Sequence, residues 1–504
     1  MPLYYRIKKC GLTVVYLLFA ALLFSQTVSS KKDIAVFRLA HSSGVPTEIA
    51  GRIDRQIAAV ITSFKRFNVI GMQYRLGTAD ISSFIDKIKE TKENQSEIPE
   101  TVLSGEAAFT RADWERLTGA FLVFIPHITA YNETLIYEEA FENDKRVIKR
   151  YWDVRIEGSL TIIDVSGATG QRILPLSAER ISKRRTEAID SAIDGLTASV
   201  YTAIKFEPEF ALTSGILAFD PGANTVTIEL GKNIGIKVGD EYTLQKPVFI
   251  GGRQSLITTG FFIISEVHDF FSIGKVVYAT QPIVEGDAVK EAPSYGLSIQ
   301  GYGGITVPLT GVKTAAKDYL RVQPTFGIRA VYGAGFHLSL LLGYEYAIQQ
   351  PVGQSAALNA KPLKLSSFGM GYIGVGVCNL YAARFKITPE LHLCFSGTLV
   401  SVQNDSLKSE TKSTKASSDS ITASQLGGRI LFSADYFITQ GWTVGASTGI
   451  GYMQSLMNAQ SAAQKLQNKG YLSDAAVAQV SHYNWDMLSS HLNFYLFVGI
   501  TGRF

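Results

Sequence analysis

The chain has 504 residues, too many for one ordinary domain, with charged side chains at only 18% and a formal net charge of +4. That balance offers no basic surface for nucleic acid. After residue 30 no apolar run approaches the roughly eighteen residues of a membrane helix, so a chain this apolar must hide its apolar surface in cores or in a barrel.

Arg6, Lys8 and Lys9 form a basic leader, Cys10–Phe24 an apolar core, and Ser25–Ser30 a small polar stretch. This pattern predicts a signal peptide over residues 1–30, cleaved after Ser30 with Val28 at the −3 position; the alternative is an uncleaved anchor. An apolar core of about fifteen residues favours the signal peptide. Cys10, at its leading edge, is no lipobox cysteine. Cleavage removes three of the 48 basic residues and none of the 44 acidic ones, which leaves the remainder close to neutral.

Residues 31–205 read as an α/β domain. Asp33–Leu39 is a short apolar strand, and Pro46–Lys65 an amphipathic helix with Ile49, Ile53, Ile57, Val60, Ile61 and Phe64 on one stripe. Phe67–Gly71 follows as a strand, Asp80–Thr91 as a helix and Lys92–Ser104 as a polar stretch. Arg111–Leu117 is helical, Phe121–Ile128 a strand, Trp152–Val165 half of a hairpin and Arg185–Lys205 a closing helix. Tyr131–Arg150 reads as an insert, with Glu138 and Glu139 in a solvated loop.

The phrases Ile34–Phe37, Arg66–Ile70, Thr118–Phe124 and Thr161–Gly170 carry a resemblance to the periplasmic α/β domains of the curli-secretion-lipoprotein, TolB N-terminal and flagellar-assembly-protein-T type. The resemblance covers about a third of the chain. It implies a periplasmic binding or assembly module, and the polar segment 92–110 and the insert Tyr131–Arg150 depart from it.

Residues 206–293 read as a small all-β, barrel-like domain. In Val226–Asp240 the glycines supply turns with positive φ and Asp240 caps one of them. This text resembles the C-terminal domain of the flagellar assembly protein T type. It lacks the Gly-Lys-Ser/Thr of a phosphate loop.

From residue 294 to 504 alternating segments recur. Strand one sets Leu297, Ile299, Ile305 and Val307 against Ser298, Gln300, Tyr302 and Thr306, and strand two sets Phe326 and Ile328 against Arg321, Thr325 and Arg329. Strand three sets Phe336, Leu340, Leu342 and Tyr344 against His337, Ser339 and Glu345; strand four, Ser367–Tyr381, has an ambiguous register. Strand five sets Leu391, Leu393 and Phe395 against Lys386, Glu390 and His392, and strand six sets Ile430 and Phe432 against Arg429, Ser433 and Asp435. Strand seven, Trp442–Tyr452, is Gly-rich. The last strand puts Phe494, Leu496, Val498, Ile500 and Phe504 on one parity, which resembles the sorting signal of outer-membrane proteins. Short links at Tyr332–Gly335, Asn379–Arg384 and Thr439–Gly441 alternate with long ones at Ala347–Leu365, Ser401–Ser424 and Met453–Ser490, the pattern of bacterial outer-membrane barrels.

The chain thus reads as an α+β multidomain protein whose C-terminal part is an eight-stranded antiparallel transmembrane β-barrel. The polar parity faces the lumen, where Arg321, Arg329, Glu345, Lys386, Glu390, Arg429 and Asp435 form a charge network; eight strands leave room for side chains only. Arg503 and His337 belong to the same interior. A disulfide between Cys378 and Cys394 is excluded, because the hairpin places them roughly 25 Å apart. No catalytic constellation, metal set or cofactor motif stands out. The leading expectation is a membrane-anchored, non-enzymatic periplasmic binding, assembly or envelope-scaffold protein, with outer-membrane lipid, the barrel-assembly machinery and a periplasmic protein or peptidoglycan as partners. The alternatives are a narrow-pore transporter gated by its periplasmic domains and a surface adhesin acting through its long loops.

Overall fold

The computed structural model describes residues 28–94, 98–104, 107–142, 145–165, 171–309, 322–347, 364–402, 419–457 and 491–504, with the single residues 461, 464 and 468. The leader at 1–27, Arg321 and most of the long connections lie outside them.

The first domain is a mixed sheet between two helical layers. Its elements are β1 (Lys32–Val36), β2 (Ala40–His41), α1 (Thr47–Ser63), β3 (Phe67–Gly71), α2 (Ile81–Asn94), β4 (Thr101–Ser104), β5 (Ala107–Thr110), α3 (Arg111–Gly119), β6 (Leu122–Glu142), β7 (Lys145–Asp164), β8 (Gln171–Ser182) and α4 (Arg185–Lys205). The sheet order is β3-β1-β6-β7-β8, with β1 parallel to both β3 and β6. On α1 the residues Ile49, Ile53, Ile57 and Ile61 recur at helical spacing and are buried, and they meet Ile193, Leu196 and Val200 of α4 over one sheet face. Phe84, Phe109 and Trp114 fill the other face. Thr110 caps α3 by accepting from the Asp113 amide at 3.2 Å.

Two stretches expected as polar connections fold otherwise. The segment 92–110 contains the two-stranded β4–β5 sheet. Tyr131–Arg150 is no loop: β6 and β7 pair without a break from Ala130↔Glu157 out to Glu142↔Lys145. Glu138 and Glu139 therefore stand on a strand, and Glu139 is ion-paired with Arg146 of the facing strand.

The second domain is a closed six-stranded barrel of β9 (Thr213–Asp220), β10 (Thr225–Ile228), β11 (Glu241–Ile250), β12 (Arg253–Val267), β13 (Ser272–Ala279) and β14 (Ala288–Glu291). Val226, Ile228, Tyr242, Phe262 and Ile264 fill it. Two of its glycines are required by position. Gly235 has φ +87° and a Cβ there would lie 2.1 Å from the Phe64 carbonyl oxygen; Gly239 has φ +97° and would bring a Cβ within 3.1 Å of Gly335. Asp240 holds the intervening turn by accepting from the Lys237 amide at 2.7 Å.

The third domain is a closed antiparallel barrel of eight long strands: β15 (Leu297–Pro308), β16 (Gln323–Gly333), β17 (Leu338–Ala347), β18 (Lys364–Val377), β20 (Phe385–Val402), β21 (Asp419–Phe437), β22 (Trp442–Met457) and β23 (His491–Arg503); the short β19 (Leu380–Ala382) continues β18. Closure is made by β15 and β23, paired from Ser298↔Arg503 to Pro308↔Asn493. The ladder between β20 and β21 extends to Val402↔Asp419, so the connection expected over Ser401–Ser424 is shorter. Likewise β22 runs through Ser455–Met457 as strand, not as the start of a long connection. Four connections, including the one after Pro308, lie at the end opposite the short turns.

The outer surface of this barrel is apolar. Leu340, Leu342, Ile373, Leu391, Val498 and Ile500 are each close to half exposed. At the short-turn end Tyr295, Tyr332, Phe385, Tyr436, Trp442 and Phe504 form an exposed aromatic rim. Of the closing parity, Leu496, Val498, Ile500 and Phe504 point outward and Phe494 is half-buried.

Candidate functional site

Alternation places the polar residues inside, and the lumen is filled by them. Arg429 extends from β21 between three rings, with its guanidinium carbon 4.3 Å from the Tyr372 centroid, 5.2 Å from Tyr495 and 5.7 Å from Phe497. Its two terminal nitrogens clasp Glu345 at 2.9 and 2.6 Å, and Nε donates to His392 Nδ1 at 2.9 Å. Because Nδ1 accepts, the His392 proton sits on Nε2, which donates to Glu390 at 3.1 Å. Glu390 also accepts from Arg329 at 2.7 Å and from Ser433 at 2.6 Å. Tyr302 donates to Glu345 at 2.7 Å and lies 2.9 Å from the Tyr372 hydroxyl.

These contacts make one connected network across β15, β16, β17, β18, β20 and β21. The void left among Gln300, Tyr302, Arg329, Glu345, Tyr372 and Arg429 is about 10 Å³, no larger than one water. Tyr372 does not stand out in the sequence, because it lies on the Gly-rich strand of ambiguous register.

Lys386 and Asp435 stand opposite each other in the ladder, nearer the short turns than the rest of the network. Lys386 borders a cavity of about 300 Å³ between the two barrels, lined also by Lys205, Asp240, Glu291 and Asn379. Two expected lumen residues are elsewhere. His337 lies in the turn before β17 and is exposed, since it is the neighbouring Phe336 that turns inward. Arg503 reaches out of the lumen: it donates to Glu241 of the small barrel at 2.5 Å and to the Gln440 carbonyl at 2.8 Å.

Cys394 is buried in the lumen wall beside Met370, Tyr372 and Met453. Cys378 is exposed, at φ +54°, in a bulge between β18 and β19, and both thiols are free. The bulge turns Asn379 inward, where it donates to the Phe336 carbonyl and accepts from Thr388, both at 2.9 Å.

Around Arg503 the small barrel is seated on the short-turn end of the large one. Phe261, Ile263 and Val277 of the first pack with Phe336 and Phe437 of the second. Arg384 lies over the Tyr278 ring at 4.6 Å. The first domain joins the same assembly. Arg66 reaches Glu291 with both terminal nitrogens, at 2.8 and 3.1 Å, and both side chains are buried. The α4 end is fixed to the large barrel by Lys205, which donates to the Ser294 carbonyl at 3.1 Å, and by Phe206 stacked on Tyr295 at 4.0 Å. Burial pushes the Asp240 carboxyl up from its ordinary range at this joint.

Chemically, the arrangement binds and braces. Among the described residues no group of three or more His, Cys, Asp or Glu could hold a metal ion, and the buried histidine is fully engaged.

No family model and no curated protein matches the chain. Solved structures similar to part of it include Neisserial surface protein A (14% identity, 42% of this chain and 100% of that one, TM-score 0.24). A major outer membrane protein from Thermus thermophilus is similar at 12% identity, over 41% of this chain and 98% of that one, with TM-score 0.25. The N-terminal β-barrel domain of Pseudomonas aeruginosa OprF is similar at 8% identity, over 42% and 100%, with TM-score 0.20. At these scores the likenesses carry no argument about function.

Proposed function

We propose that the protein is a non-enzymatic envelope scaffold, anchored in the outer membrane by its large barrel and holding its first two domains in the periplasm as one braced unit. The apolar outer surface with its aromatic rim fits lipid and its interface. The observation that carries the scaffold reading is the blocked axis of the barrel. The lumen is filled by the Arg429–Glu345 and Arg329–Glu390 network, and the small barrel is seated over the short-turn end. This leaves the domains at residues 31–293 to engage a periplasmic protein or the cell wall.

Conductance across planar bilayers tests it. Purified protein inserted in a bilayer gives no stable openings if the barrel is an anchor, whereas sustained, sizeable openings assign it to the transporters and overturn the reading.

A further inference from the structure

The longest feature of the first domain leads away from the barrel. Helix α4 ends at the barrel through Lys205 and Phe206 and begins, roughly 30 Å off at its helical rise, where Arg185 lies over Trp152 and pairs with Glu133. There β6 and β7 run on alone. β8 stops pairing at Trp152↔Ser182, and the seven pairs from Ile136↔Tyr151 to Glu142↔Lys145 form a free two-stranded arm about 24 Å long.

One face of the arm continues the helix-covered side of the sheet past the end of α4. It carries Tyr137 and Phe141 on β6, 63% and 76% exposed, and Ile148 on β7, 61% exposed. Across the ribbon Tyr137 stands opposite Arg150 and Phe141 opposite Arg146. Aromatic rings thus line one strand and guanidinium groups the other. On this face the charge is divided the same way, with Glu139 on β6, ion-paired with Arg146, and Arg146 and Arg150 on β7; Glu138 and Lys149 stand on the opposite face.

We infer that this face pairs with the same face of a second copy of the chain. Two copies in one membrane can be related only by a two-fold axis along the membrane normal. The arm leads away from the barrel, so for an arm along that axis face-to-face stacking lays β6 of one copy over β7 of the other. Tyr137 then meets Arg150 of the second copy and Phe141 meets Arg146, cation–π pairs made twice. Glu139 lies over Ile148 of the second copy, between that copy's Arg146 and Arg150, and Ile148 is covered. The face is about 24 Å long and two strands, about 10 Å, wide, far short of the roughly 800 Å² per partner of a stable complex in solution, so the pairing depends on confinement to a shared membrane, where effective concentration is high. It rests on the outer-membrane reading above.

The test uses full-length protein in vesicles, with the exposed Cys378 replaced by Ala. Ile148→Cys on the stacked face is compared with Lys149→Cys on the opposite face, using a short bis-maleimide, and resistance to alkaline extraction is measured in the same samples. The inference predicts a cross-linked species of twice the chain mass for Ile148→Cys, about tenfold more abundant than for Lys149→Cys, and lost when Phe141→Ser is added. Equal cross-linking of the two variants, none from either, or a product of another mass overturns it. Protein released by alkali would instead refute the membrane anchorage on which it rests.

Discussion

Arg503 of the last barrel strand donates to Glu241 of the small β domain at 2.5 Å, with side chains 18% and 11% exposed. This pair is the polar part of the joint that Phe261, Phe336 and Phe437 make apolar. Replacing Glu241 by Ala leaves the guanidinium at a half-closed interface and should loosen the joint by about 1–3 kcal/mol. Chymotryptic cleavage after Tyr295, in the link at 292–296, is then faster than in the native protein, while the barrel itself still migrates as folded.

The lumen network should be sensitive to single losses and tolerant of paired ones. Glu345→Met strands the buried Arg429 charge and is expected to cost about 3–5 kcal/mol, whereas Glu345→Met with Arg429→Met recovers most of that. The urea midpoint for barrel unfolding, followed by the heat-dependent gel shift, reads the difference.

Gly239 meets Gly335 at φ +97°. Gly239→Ala should cost about 1–3 kcal/mol in backbone strain and contact. The loss should fall on the joint, visible as a wider distance distribution between spin labels on the small domain and the barrel, with the barrel's melting unchanged.

At the root of the arm, hydrogen bonds from Arg185 hold the Glu133 carboxyl below its ordinary range, and burial together with the hydrogen bond to Glu133 pushes the Tyr131 hydroxyl up to about 12. A carboxyl depressed in the folded state stabilises above its unfolded pKa, and that stabilisation disappears as pH falls through the folded value. The Tm difference between the native protein and Glu133→Gln should therefore be constant near neutrality and shrink on acidification below the ordinary carboxylate range. Asp240 has the opposite sign. Its raised carboxyl weakens the joint when ionised, so Asp240→Asn should help most at neutral pH and least in acid.

Much of the large barrel was legible from its two-residue period, because lipid-side and lumen-side residues differ sharply in polarity. Strand four resisted for a physical reason. Outward Ile373 and Val377 share odd parity, but the bulge at Cys378–Asn379 shifts it, so Leu380 is outward on even parity. The arm was hidden because Ile136–Tyr151 mixes charges and apolar groups on both faces, as a ribbon with no buried side will. The joints were invisible for another reason: Arg66 and Glu291 are 225 residues apart, and Glu241 and Arg503 are 262 apart. No local pattern marks such partners.

On the proposed topology the barrel lies in the outer membrane with residues 31–293 on its periplasmic side. Trypsin applied to intact cells and then to cells with a permeabilised outer membrane distinguishes the two sides, with fragments mapped by mass. Cleavage of intact cells confined to the four connections opposite the short turns, as at Lys412 and Lys415, with residues 33–205 cut only after permeabilisation, is the predicted result. Cleavage within residues 33–205 on intact cells would contradict it.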